Sequence, residues 1–307
     1  MYDSQLNETF YDLQSKDNDT NWFGKYQRAI PIWIRNQLRA GRQSGVVGRF
    51  PGANVPILNR TVSRSADYAN AMSWRGRVDL LVSWLAEPSS RRINLGVLYF
   101  SESDETGHGY GPSSSPALRR VLRKCDRTLG YLIERLKAVE LFDRAHIMVT
   151  SDHGMDHASR EHSIDLSDYM DTQKYRAFGG LTQLNIFPNE PSDEQEIYDA
   201  LRRVPNYKVF RRAQVPLRLH YSRNIRIGPL VMYGNTGYEI FEANRSKFDW
   251  SKWSELCFCF RALFCYINDG EQKVGLICIV FHSQFNADES LPNLNILKKR
   301  LTIYGFY

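Results

Sequence analysis

An α/β fold with a mostly parallel central sheet is the architecture this sequence predicts. Three observations predict it. Residues 94–100 and 146–150 are short apolar runs of the kind shown by parallel strands buried on both faces. Between them Leu118, Val121, Leu122, Cys125, Leu129, Leu132, Ile133 and Leu136 recur at helical spacing. Further strand-like and helical segments follow along the chain, with no internal repeat and no low-complexity linker.

The elements follow in order. Residues 1–21 are polar and acidic and read as a loop. Residues 31–38 read as a short helix beneath Trp33. Val46-Val47 runs into Phe50-Pro51-Gly52, a strand and a turn. Residues 63–69 are polar and contain Tyr68. Residues 75–85 make a helix whose apolar stripe is Val78, Leu81, Val82 and Leu85. The strand at 94–100 then empties into a loop carrying Asp104 and His108. Ser115-Pro116 starts the next helix, because proline at the first helical position gives up no intrahelical hydrogen bond. Strand, helix, strand is a βαβ crossover, so the two strands should be parallel neighbours with a right-handed connection.

The second of these strands runs straight into Ser151-Asp152-His153-Gly154-Met155. Residues 184–187 form a small strand ended by Pro188, and 194–201 a helix with Ile197 and Leu201 inward. Residues 208–210 and 230–233 are strands. His157 and His162 lie in a polar loop and read as exposed rather than as ligands; His220 reads as structural. From about residue 246 the character shifts. Trp250, Trp253, Phe258, Phe260, Phe264 and Cys257, Cys259, Cys265 and Cys278 crowd together, and 274–281 is one more strand-like run. The expected division is a domain at 1–245 and an atypical aromatic and cysteine-rich tail at 246–307, either appended sequence or an accessory hairpin.

The chemistry-bearing residues are two Asp/His pairs. Asp104 and His108 follow one strand, and Asp152 and His153 follow the other. Parallel strands deliver both pairs to the carboxyl edge of the sheet, where open α/β sheets bind ligands. Carboxylate oxygen and imidazole nitrogen suit zinc, and a catalytic zinc keeps one position open. Two such half-sites suggest two ions roughly 3.5–4 Å apart, an arrangement suited to displacement at phosphorus. Either pair alone is more ordinarily a cap or a surface pair. Joined by a crossover helix, they favour metal.

At this point the chain resembles a known family. Tyr99-x4-Asp104-x2-Gly107-His108-x2-Gly111-Pro112 and Thr150-Ser151-Asp152-His153-Gly154-Met155 are similar to motifs of the ectonucleotide pyrophosphatase/phosphodiesterases, within the alkaline-phosphatase superfamily. Met1-Tyr2-Asp3, Trp22-Phe23-Gly24, Pro31-Ile32-Trp33, Phe50-Pro51-Gly52 and Arg226-Ile227-Gly228 stand in family order. The resemblance covers roughly residues 1–245. It implies a three-layer alkaline-phosphatase-like sandwich, incomplete in this chain. It implies two Zn2+ ions, a Thr nucleophile and a Thr-linked intermediate. One zinc would take Asp104, His108 and a later His. The other would take Asp152, His153, an earlier Asp and the Thr.

The nucleophilic Thr and the earlier Asp lie upstream of the family's Met-Tyr-Asp element, so the expectation is that both precede Met1. Nothing after Arg226 matches the segment that carries the later His; His282 is followed by Ser283-Gln284-Phe285. Ser103 stands where the family usually has Pro. Four of the seven implied centre residues are present, which predicts partial zinc occupancy and no appreciable turnover from this chain alone. Tyr68 lies nine residues before Arg77, where nucleotide-hydrolysing members place a base-stacking Tyr; a half-buried loop Tyr is the equal alternative. Tyr99 either lines the same pocket or belongs to the core.

Composition sets outer bounds. At 307 residues, 42% hydrophobic and 13% aromatic, the chain can bury a substantial core and is not a disordered one. Its formal charge of +6 is spread over short basic groups, which argues against a nucleic-acid duplex as partner. Attraction of an anionic phosphate substrate is the milder reading. Cys125 reads as a core thiol, and the tail cysteines have no zinc-frame spacing. Sequons at Asn7, Asn18, Asn59 and Asn244 mildly favour a secreted context. No signal peptide is visible and no apolar run reaches the ~18 residues of a membrane span. The resemblance implies an extracellular or cell-surface protein, with membrane attachment open for a longer form.

Three functions stay in view. The first is a zinc phosphodiesterase of nucleotides or lysophospholipid-like esters. The second is a non-catalytic remnant that binds metal or nucleotide weakly. The third is another superfamily hydrolase, which the Trp33, Phe50-Pro51-Gly52 and Arg226-Ile227-Gly228 landmarks disfavour. A Thr-Gly-Leu-like segment encoded in frame upstream of Met1 would separate the first from the second.

Overall fold

The computed structural model describes residues 30–50, 52–67, 72–111, 115–157, 159–243 and 245–248. Outside these it describes the backbone of short strands, and there the side chains of Ile277 and Ile279 alone. The helices are α1 (Ile32–Gln37), α2 (Trp74–Leu85), α3 (Glu102–Tyr110), α4 (Pro116–Ala138) and α5 (Glu194–Leu201). The first strands are β1 (Tyr2–Asp3), β2 (Glu8–Thr9), β3 (Ser44–Val47), β4 (Arg64–Ala66), β5 (Leu95–Phe100) and β6 (Ala145–Thr150). Then come β7 (Gly154–Asp156), β8 (Ser163–Asp165), β9 (Tyr175–Gly180), β10 (Gln183–Pro188), β11 (Tyr207–Arg211) and β12 (Leu230–Gly234). The last are β13 (Glu239–Phe241), β14 (Cys257–Cys259), β15 (Phe264–Ile267), β16 (Gly275–Phe281), β17 (Gln284–Phe285) and β18 (Thr302–Tyr304). Contacts gather the chain into two units, one of Met1–Tyr11, Gly107–Ser115 and His153–Phe260, the other of Asp12–Thr106, Pro116–Asp152 and Arg261–Tyr307.

The second unit holds a seven-stranded sheet in the order β18-β15-β6-β16-β5-β3-β4. Neighbours from β6 across to β4 are parallel, and β15 and β18 add antiparallel strands at the other edge. Every residue of β5 is buried. Its side chains alternate, as the two-residue period of a strand requires. Leu98 and Phe100 enter the cluster shared with α2 and α4, whereas Leu95, Val97 and Tyr99 enter the cluster that contains Trp33 of α1. Helices therefore cover both faces, and burying each large apolar side chain contributes roughly 1.5–3 kcal/mol.

The helices form for local reasons. Ser73 caps α2, its Oγ accepting from the Gly76 N–H at 3.1 Å. Val78, Leu81, Val82 and Leu85 are buried, as their spacing predicts. So are Leu118, Cys125, Leu129, Leu132, Ile133 and Leu136 of α4. Burial pushes the Cys125 thiol up to about 12, so it is a packing residue. At Gly96 a Cβ would lie 3.0 Å from Leu81, so the bare glycine lets α2 settle onto β5.

The structure corrects three local expectations. β5 and β6 are parallel but not neighbours, because β16 lies between them and pairs with both. Apolar periodicity reports that a strand is buried, and says nothing of which strand it joins. That place between β5 and β6 is taken by residues 275–281, an apolar run read as part of the tail. Asp104 and His108 lie on a helix, not in a loop. Residues 1–21, read as a loop, contain the short antiparallel pair β1–β2.

The first unit is built on a four-stranded antiparallel sheet, β11-β12-β10-β9. Ile197 and Leu201 of α5 pack on Leu184, Ile186, Leu230 and Met232, the inward positions of β10 and β12. β13 pairs in parallel with β8, and β14 runs antiparallel to β7.

Candidate functional site

α3 forms because its first turn suits a helix start. Glu102, Asp104 and Glu105 complement the positive end of the helix dipole. The N–H groups of Asp104 and Glu105 donate to the Ser101 carbonyl at 3.1 and 3.2 Å, and Ser101 Oγ donates to Glu105 at 2.9 Å. A serine followed by acids was a legible start signal, obscured by Gly107 and Gly109. Asp104 is buried and His108 half-buried. Four residues apart on a helix, they share a face. The division between the two units falls within this helix, after Thr106, and again between Asp152 and His153.

Within the second unit, Asp104 and Asp152 follow the carboxyl ends of two parallel strands of one sheet. Those strands are separated by β16 alone, so their ends stand two strand spacings apart, about 10 Å. Asp152 is exposed and follows the buried Ser151. Glu102 is engaged elsewhere: it pairs with Arg77 at 2.7 Å and accepts from Trp74 Nε1 at 2.6 Å.

Within the first unit, His153 Nδ1 lies 3.0 Å from the Gly154 carbonyl oxygen. A carbonyl only accepts, so the contact is a hydrogen bond when Nδ1 carries a proton, and in that neutral tautomer Nε2 is left to present a lone pair. Metal-binding histidines are commonly oriented this way. Among the described residues no group of three or more His, Cys, Asp or Glu side chains is placed to hold one metal ion.

The remaining candidates separate. Tyr99 is 7% exposed and packs edge-on to Phe50, which in turn packs edge-on to Trp33, so these landmarks are core positions. Tyr68 and the side chains of the four tail cysteines lie outside the described residues. His157 and His162 are exposed, and His162 stacks on Tyr238 at 4.8 Å. The Arg226-Ile227-Gly228 landmark has a structural cause. The Gly228 N–H and the Tyr221 hydroxyl both meet Asn185, at 3.1 and 3.0 Å. One titratable residue escaped the sequence reading. Glu239 is 1% exposed in β13, and burial pushes its carboxyl up to about 7. Its signal was an acid inside the strand-like run Tyr238-Glu239-Ile240-Phe241.

Comparison with known proteins supplies the family. A family model described as Type I phosphodiesterase / nucleotide pyrophosphatase matches residues 1–258. Ectonucleotide pyrophosphatase/phosphodiesterase family member 5 of Homo sapiens is 35% identical over 250 residues, covering 81% of this chain and 50% of that protein. Bis(5'-adenosyl)-triphosphatase enpp4 of Mus musculus is 33% identical over 249 residues, covering 81% and 52%. The chain thus spans about half the length of these relatives. Among solved structures, murine ectonucleotide pyrophosphatase / phosphodiesterase 5 superposes with a TM-score of 0.67 at 32% identity, over 92% of this chain and 74% of that one. An inactive Thr-to-Ala form of that protein, in complex with AMP, superposes equally well, with a TM-score of 0.67. The matched fold, the ordered motifs and the extent of the family match lead to one assignment: this chain belongs to the type I phosphodiesterase / nucleotide pyrophosphatase family, hydrolases with an alkaline-phosphatase-like α/β fold.

Proposed function

We propose that this chain carries part of a zinc-dependent centre for hydrolysing phosphodiester or pyrophosphate bonds of extracellular nucleotides. The observation that carries the reading is the placement of Asp104 and Asp152 after parallel strands of one sheet, within a chain of this family. Asp104 with His108 would hold one ion, and Asp152 with His153 the other. Zinc–ligand bonds are about 2 Å and paired catalytic ions roughly 4 Å apart, so the two half-sites would have to converge beyond the strand ends, which stand about 10 Å apart. Bound there, zinc supplies Lewis acidity toward a phosphoryl oxygen. The chain's own part is to hold donors. His153, with a proton on Nδ1 against Gly154, would offer Nε2. Burial of Asp104 limits its freedom before any ion arrives.

A nucleotide substrate is favoured by two relatives: one named a bis(5'-adenosyl)-triphosphatase and one solved with AMP. An extracellular setting is supported by Asn59, an exposed sequon residue in a tight turn, at φ 57°. Among the described residues no helix is long and apolar enough to cross a membrane. Each pair offers two donors where a catalytic zinc takes three protein ligands. This polypeptide by itself therefore binds zinc weakly and turns over negligibly, and the second reading is a non-catalytic binder of metal or nucleotide.

The test is zinc titration by calorimetry, with hydrolysis of thymidine 5'-p-nitrophenyl phosphate measured in parallel. Asp104→Ala and Asp152→Ala should each weaken zinc binding at least tenfold, with hydrolysis at background throughout. Zinc binding indifferent to both variants would remove the proposed ligands. Hydrolysis abolished by Asp152→Ala would overturn the inactivity.

A further inference from the structure

The basic residues look dispersed along the chain, but the fold gathers four of them. α2 begins at Trp74, and its first turn contains no acid and carries Arg75. The middle of α4 passes this turn. Between the two helices lies a cleft of about 550 Å³ whose lining includes Arg75, Arg77, Lys124, Arg127, Glu102 and Tyr131. That volume is in the range of small-molecule sites.

Charge in the cleft is unbalanced. Glu102 is the one carboxylate in its lining, and it is engaged by Arg77 at 2.7 and 3.2 Å. Among the described residues no carboxylate pairs with Arg75, Lys124 or Arg127. Two of these cations rest instead on aromatic faces. Arg75 lies over the Tyr131 ring at 4.8 Å, and Lys124 Nζ over the Trp74 ring at 4.1 Å. An aromatic face attracts a cation without neutralising it. These platforms are themselves fixed. The Tyr131 hydroxyl is held by Asp79 at 2.9 and 3.0 Å, and Asp79 is shared with Arg135 at 2.7 Å. Trp74 is 5% exposed and stacks on Phe100 at 4.5 Å.

Three cations with no ion-pair partner among the described residues surround one concavity and repel one another. Arg75 also adds positive charge where the first turn of α2 already points its amides. A solvated basic surface would spread such charges; here rigid aromatic platforms concentrate them. We propose that the cleft between α2 and α4 is a binding site for a polyphosphate-class anion, held by Arg75, Lys124 and Arg127. One phosphate would leave most of the volume empty and part of the charge unmatched. A chain of phosphates meets several cations at once. The site does not depend on the zinc donors, because none of them lines the cleft.

The experiment is titration of the whole chain with sodium tripolyphosphate in EDTA at low salt, followed by calorimetry and Trp fluorescence. The wild type should bind, and affinity should fall steeply as salt rises. The Arg75→Ala/Arg127→Ala double variant should bind at least tenfold more weakly, while Asp104→Asn/Asp152→Asn binds as wild type. Both arginines are exposed, so the double variant should keep the wild-type melting temperature. Arg75→Lys/Arg127→Lys should recover part of the affinity. ATP added in a separate arm should match tripolyphosphate if the phosphate chain alone is read, and bind more tightly if a base is also held. Equal tripolyphosphate affinity in wild type and double variant, or no binding by the wild type, would overturn the proposal.

Discussion

Glu239 makes a quantitative prediction about stability and pH. Its side chain is 1% exposed, and desolvation pushes its carboxyl from an ordinary 4.5 to about 7. Below pH 4.5 the folded and unfolded chains both hold the proton, and Glu239 costs nothing electrostatically. As pH rises through 4.5 the unfolded chain releases its proton first, so stability falls. The loss levels off once pH passes about 7, where the folded carboxyl has also ionised. The interval between those two values corresponds to about 3 kcal/mol. Glu239→Gln removes the ionisation and preserves the shape. Urea denaturation of wild type and variant from pH 4 to 8 should show two curves that agree within about 1 kcal/mol near pH 4.5 and separate by about 3 kcal/mol at pH 8. Glu242 is also pushed up by burial, so the difference between the curves isolates Glu239, where the wild-type curve alone does not. Parallel curves over that range would show that the Glu239 carboxyl is not desolvated as described.

Two further perturbations test the packing. A Cβ at position 228 would lie 2.8 Å from Ile186 N and 2.9 Å from Ile186 O, both backbone atoms that have no rotamer to change, so Gly228→Ala should cost about 1–3 kcal/mol in a urea titration. Ile279 is 2% exposed in β16, so Ile279→Asp should cost about 4 kcal/mol or more and Ile279→Val about 1 kcal/mol, whereas both would fall within about 0.5 kcal/mol if that strand lay outside the sheet.

What the sequence disclosed follows the range of each physical signal. The stripe of α2 and the long stripe of α4 needed only neighbouring residues; the first is buried as its spacing predicts, and so is the second apart from the half-buried Val121 and Leu122. The same holds for Ile197 and Leu201 of α5. Pairing is a long-range property. Leu276 meets both Leu95 and His146 across gaps of well over a hundred residues, and no local pattern encodes that choice. The cationic cleft was hidden for the same reason: Arg75 and Arg127 approach one another only because Leu81 and Leu129 enter a common core.

The two Asp/His pairs show how a motif can be legible while its geometry is not. Read as a loop, Asp104 and His108 could stand as far apart as about 14 Å, since an extended chain advances up to ~3.6 Å per residue. On α3 the same spacing is a little over one turn, a rise of about 6 Å. The separation of four residues thus acquires meaning only once the segment is helical. Asp152 and His153 use the opposite device, adjacent residues at the point where a strand of alternating burial releases the chain. The residue types could be read directly from the sequence. Why one pair is spaced by four and the other by one becomes clear only from the backbone that carries each pair.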